Sequence, residues 1–328
     1  MSRRLRRCGL ALTGLAAFAG LAAAAARTAD GPFAWAFAQP SATGSPIDVT
    51  PRPDTGRRVS VPGSARSYDT ARVRDLFGAV DWFPASHPTP PRAVISGRAP
   101  DAMACGYCHL PDGQGRPENA ALAGLPAPYI VEQIRDIRTG ARTGADPDWI
   151  PTQLMTRVGK AIEARDAAAA ARYFSTPKYR KVFRIVETPD IPAVTPILGL
   201  YRATPAGGRT PLGSRIIELP NDVERFELRD NRPGYTAYVP QGAVGRGRAL
   251  ARGAPDLPAC ASCHGAALHG AIGPPIAGRY PAYIFRQLLA FAHGGRTGPA
   301  AAPMIAVARQ LKPAEMVDVA AYAASLDP

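Results

Sequence analysis

Two stretches of this 328-residue chain carry residues whose types and spacing suit redox chemistry: Cys105-Gly106-Tyr107-Cys108-His109 and Cys260-Ala261-Ser262-Cys263-His264. Two thiols three residues apart on one helical turn can both bond the vinyl groups along one edge of a porphyrin, and the imidazole that follows can reach its iron. These are all the cysteines except Cys8. A disulfide framework would not come only as close pairs, each followed by His. A zinc site would join pairs about 150 residues apart and leave both histidines unused. A thioredoxin-like thiol motif needs neither the second copy nor the imidazoles. The pattern implies two covalently bound haem c groups, held by Cys105, Cys108, Cys260 and Cys263.

The elements that must position these residues repeat as well. Pro100 and Pro255 each stand five residues before the first cysteine, with Ala104 and Ala259 directly before it. Downstream, Leu122-Ala123-Gly124 answers Ile276-Ala277-Gly278, Tyr129 with Gln133 answers Tyr283 with Gln287, and Arg142-Thr143-Gly144 answers Arg296-Thr297-Gly298. Met155 precedes Tyr173 and Met304 precedes Tyr322, both by 18 residues. Helical spacing covers residues 129–139 and 283–293, bounded by Pro128 or Pro281 before and Gly140 or Gly294 after. Each half closes with an Ala-rich helix, the second opening at Pro313 and running through Val317, Ala320, Ala321 and Ala324, the first using residues 167–173.

With those residues in view, the chain resembles tandem dihaem class I c-type cytochromes over residues 91–176 and 244–328. The resemblance implies His109 and His264 as proximal and Met155 and Met304 as distal iron ligands, the methionines on Pro-containing loops before the closing helices. Composition is compatible: Met103 lies beside its cysteine on the attachment side, and Met316 falls inside the last helix. The resemblance further implies a Pro carbonyl holding the proximal imidazole, which Pro275 can supply in the second half, while Ala121 occupies the aligned place in the first. His87, His269 and His293 read as solvated side chains, Trp82 and Trp149 as core or pocket walls. Tyr129 and Tyr283 either bond a propionate or fill the pocket.

The remaining segments set compartment and partners. Arg3, Arg4, Arg6 and Arg7 precede an Ala- and Leu-rich run over residues 10–26, the two regions of an export signal. Ala36 and Ala38 before Gln39 suit cleavage, with a cut after the alanines at 22–26 as the alternative. The expected organisation is a signal peptide at 1–38, a Pro-rich extension at 39–90, haem domains at 91–176 and 244–328, and a strand-rich segment at 177–243. Within that segment strands are expected over 182–186 and 215–219, then a hairpin pairing 223–228 with 235–239. The fold class is mainly α, with two class I cytochrome c-like helical haem domains, a central strand-containing insert and an irregular N-terminal extension. The formal charge is +13, but the basic residues are scattered and form no block with interleaved aromatics, which argues against nucleic acid.

The expected protein is a periplasmic carrier of single electrons between a dehydrogenase or quinol-oxidising donor and a terminal acceptor, with no catalytic residues of its own. Its partners are redox proteins, a membrane complex among them. The alternative is a dihaem enzyme such as a cytochrome c peroxidase or a sulfur-compound dehydrogenase.

Overall fold

A computed structural model describes residues 31–39, 53–197 and 199–328. The first 30 residues of the expected leader therefore lie outside the described residues, whereas 31–38 lie within them. A short 3-10 turn spans Ala34–Ala36. The extension that follows carries β1 (Arg58–Val59), β2 (Tyr68–Asp69), α1 (Thr70–Val73) and α2 (Arg92–Ile95). Its Trp82 packs with Val61, Val73 and Val80 in a small core of its own.

The two halves then unfold the same series of helices. The first has α3 (Cys105–His109), α4 (Ala127–Thr139), α5 (Ile150–Ala161) and α6 (Ala164–Phe174). After the strand-bearing segment, the second has α8 (Ala243–Ala251), α9 (Cys260–His264), α10 (Pro281–Ala292), α11 (Ala302–Gln310) and α12 (Pro313–Ser325). Proline stands in the first turn of α4, α5, α10, α11 and α12, where its missing N–H has no intrahelical partner to lose. Gly140 ends α4 in the left-handed conformation at φ 80. In α12 the Glu315 carboxylate accepts from the Lys312 N–H at 2.7 Å, closing the helix start.

Met155 sits within α5 and Met304 within α11, so both are on helices and not on the loops the sequence suggested. The physical reason is that Pro151 and Pro303 initiate a helix here, which a count of prolines alone reads as a loop.

The described residues of 177–243 hold seven strands and one short helix. These are β3 (Phe183–Glu187), β4 (Asp190–Pro192), β5 (Val194–Ile197), β6 (Leu200–Ala203), β7 (Arg209–Pro211), β8 (Ile217–Pro220), α7 (Val223–Glu227) and β9 (Tyr235–Val239). The expected hairpin between 223–228 and 235–239 is absent. Asp222 caps Val223–Glu227 as a helix by accepting from the Arg225 N–H at 3.0 Å, and β9 instead pairs parallel with β3 and antiparallel with β8. A parallel pair needs a long crossover, and the chain between β3 and β9 provides it with the small antiparallel pairs β4–β7 and β5–β6.

The largest apolar core joins α10, α11 and α12 through Phe285, Leu288, Leu289, Met316 and Val317. At its edge α8 crosses α12 so closely that a Cβ at Gly247 would lie 1.9 Å from the Asp318 carbonyl oxygen. Arg246 then reaches the Asp318 carboxylate with two hydrogen bonds of 2.8 Å. Gly247→Val is expected to push these helices apart and cost about 1–3 kcal/mol, as overpacking does. The measurement is the denaturant midpoint of the holoprotein at unchanged haem content; an unshifted midpoint would show that the crossing tolerates the added carbons. Among the described residues no helix is long and apolar enough to cross a membrane.

Candidate functional site

The short helix α3 brings Cys105, Cys108 and His109 to the wall of one cavity, and α5 brings Met155 to the same cavity. Including its open mouth, this space is about 1460 Å³, walled by apolar side chains such as Leu125, Ile130, Ile137, Leu154 and Phe174. The Nδ1–H of His109 donates to the Ala120 carbonyl at 2.7 Å, which fixes the ring and leaves Nε2 as the free acceptor. Burial lowers the His109 pKa, so the imidazole stays neutral with its lone pair available. Burial also pushes the Cys105 thiol up to about 12 and the Cys108 thiol upward.

The second half repeats the hold on the histidine. The Nδ1–H of His264 donates to the Pro274 carbonyl at 2.8 Å, and burial again lowers the imidazole pKa. Met304 and Cys260 both pack against the α10–α12 core. In each half the acceptor is one residue earlier than the sequence alignment suggested: Pro274 in place of Pro275, and Ala120 in place of Ala121. A backbone carbonyl needs no particular side chain, so residue type was a poor guide to which carbonyl faces the ring. Among the described residues no group of three or more His, Cys, Asp and Glu converges to hold a metal ion.

Two arginines that the sequence showed only as part of the repeat form a junction between the halves. Arg142 and Arg296 pair as an antiparallel β-bridge, with Thr143 N–H donating to Gly295 O at 2.9 Å and Thr297 N–H to Ala141 O at 2.7 Å. Gly295 is required here, because a Cβ would lie 2.1 Å from the Gly144 carbonyl oxygen. The side chains cross over. Arg142 donates to Gln133 Oε1 at 2.9 Å and to Gln287 Oε1 at 3.0 Å, while Arg296 donates to the same two oxygens at 2.6 and 3.2 Å. Arg142 also donates to the Tyr283 hydroxyl at 3.2 Å.

Two guanidiniums thus share neutral partners in a buried place. Burial, then the charge of Arg142, lowers the Arg296 pKa; burial would raise Tyr283, but Arg142 and Arg296 bring it below its ordinary value. Such a junction has room for negative charge. Tyr129, Gln133, Arg142, Tyr283 and Gln287 all line the first cavity. The matched Arg-Thr-Gly triplets were the signal that could have marked the pair.

The other expected side chains divide. Trp149 lines the cavity, whereas Trp82 is buried elsewhere and donates its Nε1–H to the Leu228 carbonyl at 2.7 Å. His269 and His293 are exposed. His87 is not: its side chain is 2% exposed, with Nε2 3.2 Å from Asp81 Oδ1 and Nδ1 2.9 Å from the Tyr173 hydroxyl. Burial lowers its pKa, but the bonds to Asp81 and the Pro88 carbonyl, with the charges of Asp81 and Asp112, together outweigh this and hold it above the ordinary value. Tyr173 lies 86 residues away, which is why no local pattern marked the histidine as buried.

The attachment segments differ in what covers them. In the first, Arg229 lies over the Tyr107 ring at 3.6 Å and donates to the Tyr107 carbonyl at 3.2 Å. In the second, Ala261 and Ser262 are exposed, and nearby Ile272 is 90% exposed.

With this geometry established, comparison with known proteins is informative. Residues 245–327 match the family model for cytochrome c. The thiosulfate dehydrogenase electron acceptor of Thiomonas intermedia is 27% identical over 257 residues, 76% of this chain and 87% of that protein. Cytochrome c4 of Azotobacter vinelandii is 27% identical over 202 residues, 60% of this chain and 71% of that protein. A solved structure of thiosulfate dehydrogenase (TsdBA) from Marichromatium purpuratum, 27% identical, superposes with a TM-score of 0.46 over 68% of this chain and 36% of that one. Residues 245–327 thus match cytochrome c, and most of the chain is similar to electron-transfer cytochromes.

Proposed function

We propose, starting from a cytochrome c domain at residues 245–327, that the protein is an exported, periplasmic carrier with two haems, one in each half. The observation that carries this reading is the convergence of Cys105, Cys108, His109 and Met155 on one apolar cavity; in the second half Cys260 and Met304 pack against one core and His264 is fixed by a carbonyl as His109 is. Bound haem would supply a reversible one-electron couple at iron. The cysteines would hold the macrocycle as thioethers. His109 and His264, each fixed by a carbonyl, would present Nε2 to the metal, and Met155 and Met304 would hold it with neutral sulfur, which would leave no place for a substrate. Arg142 and Arg296 would receive propionate carboxylates, relieving the like charge they otherwise share.

The name of one relative, a thiosulfate dehydrogenase electron acceptor, supports a donor that oxidises a reduced sulfur compound; the acceptor in this reading is a further redox protein. The domains at 91–176 and 244–328 would be the working units, with 39–90 and 177–243 packed around them.

The experiment is a redox titration of the purified holoprotein, with intact mass to count haems. Two covalent haems, two reversible one-electron steps, no carbon monoxide uptake by the reduced protein and no turnover of peroxide are the expected results. One haem, or peroxide turnover by the wild type, would move the assignment to a dihaem enzyme or remove it.

The positive charge adds a rate prediction. Screening acts over roughly 10 Å at 0.1 M salt, so reduction by an acidic donor should slow as ionic strength rises. Stopped-flow rates measured against salt check this, and a flat profile would point to an apolar docking face.

A further inference from the structure

Residues 33–38, which the sequence placed in the leader, are built into the interior. Phe33 and Trp35 meet Phe285 of α10 with ring centroids 5.9 and 4.6 Å apart. Phe37 is 3% exposed, packs edge-on against Trp149 at 5.6 Å and lines the first cavity. The backbone is used as well. The buried Arg286 guanidinium donates to the Ala36 carbonyl at 3.1 Å, and the Trp149 indole N–H donates to the Ala38 carbonyl at 3.1 Å. Arg286 also lies over the Trp149 ring at 4.7 Å.

Trp149 is the residue that caps the start of α5, the helix carrying Met155. Its ring is therefore held by the strap on one side and by α10 on the other, while the helix that follows aims the sulfur into the cavity. Without residues 33–38, two buried donors would lose their acceptors and the cavity would lose one wall.

We propose that Phe33, Trp35 and Phe37 with the carbonyls of Ala36 and Ala38 form a strap that belongs to the working protein, positions Trp149 and through it Met155, and lies downstream of the leader cut. The cut is a hydrolysis: water adds across one peptide bond, leaving a carboxyl on the leader and an amine on the mature chain. It falls upstream of Phe33, where the five consecutive alanines at 22–26 offer small residues of the kind such a cut requires. The Ala36-Phe37-Ala38 sequence resembles a cut site but is occupied in packing. The positioning role rests on the reading of Met155 as the distal ligand.

The test uses the full-length chain exported with haem-maturation machinery. The N-terminal peptide of the purified holoprotein should contain Phe33 to Ala38. Phe37→Ala should lose one haem's share of the iron-to-sulfur charge-transfer band and admit carbon monoxide at that haem alone, with both haems still attached. A mature chain that begins at Gln39 with both bands intact overturns the proposal, as does a wild-type spectrum and carbon monoxide inertness in Phe37→Ala. If that variant yields no holoprotein, Trp149→Phe, which keeps a ring but loses the N–H to Ala38, takes its place: a weakened band supports the strap and an unchanged one overturns it. Met155→Ala separates the two readings. If it changes no band, the ligand assignment fails; if it does and Phe37→Ala does not, the strap alone fails.

Discussion

Met155→Ala is expected to abolish one haem's share of the iron-to-sulfur charge-transfer band, open that haem to carbon monoxide or cyanide, and leave the other haem unchanged. Alanine removes the thioether and puts no donor in its place, so a small ligand meets an empty position on the iron. Met304→Ala should produce the same change at the second haem, since each methionine stands on its own helix, α5 or α11. The His replacements should instead keep the iron six-coordinate while lowering that haem's potential, because a second imidazole favours the reduced metal less than a thioether does. Absorption spectra with and without carbon monoxide, and redox titration of the His variants, read these outcomes. A methionine whose removal alters neither spectrum nor potential is filling space.

The second large effect lies away from the cysteines. Glu218 on β8 is 2% exposed; its Oε2 accepts from the Ala282 N–H at the start of α10 at 3.3 Å, and its Oε1 has no hydrogen-bond partner among the described residues. Burial raises its pKa from 4.5 to about 8, against the pull of the Arg286 charge, while burial takes Arg286 itself down to about 10. The native state then holds a proton that the unfolded chain gives up above 4.5. Stability from this group is fully present below that value and is lost as pH rises toward about 8, at about 1.4 kcal/mol per pH unit. Glu218→Gln, which is neutral throughout, should therefore gain on the wild type across that window and keep a constant advantage beyond it. Denaturant unfolding at several pH values gives the difference. A difference that does not change with pH would mean that Glu218 is ionised in the fold.

What could be read from the chain was what is local. Cys105–His109 and Cys260–His264 form short helices, and the long helices begin and end near the Pro and Gly residues that mark them. The segment before β9 shows where this stops. Residues 223–228 alternate well enough for a strand, but Asn221-Asp222 after Pro220 is a helix start, and the partner that β9 prefers is β3, some 50 residues earlier. The burial of His87, the arginine junction and the packing of residues 33–38 escape a local reading for one common reason. Their partners are Tyr173, the opposite half, and α10 with Trp149, all brought near only by the finished fold. Small apolar residues before a polar one look alike whether a peptidase or a protein core receives them.

The cover over the first attachment segment bears on how the chain can be divided. Tyr107 is clasped by Arg229 across 122 positions of sequence, the Gln114 amide donates to the Lys178 carbonyl at 2.9 Å, and Trp82 is bonded to Leu228 across 146 positions. A fragment ending at residue 176 would keep the first cysteine pair yet lose the partners of Trp82, Tyr107 and Gln114. Such long-range closures raise contact order and slow folding, and they make the first half a dependent part of a larger cooperative unit despite its clear place in the repeat. The repeat read in the sequence therefore does not mark where the molecule could be cut; those boundaries are set by β3, α7 and β9.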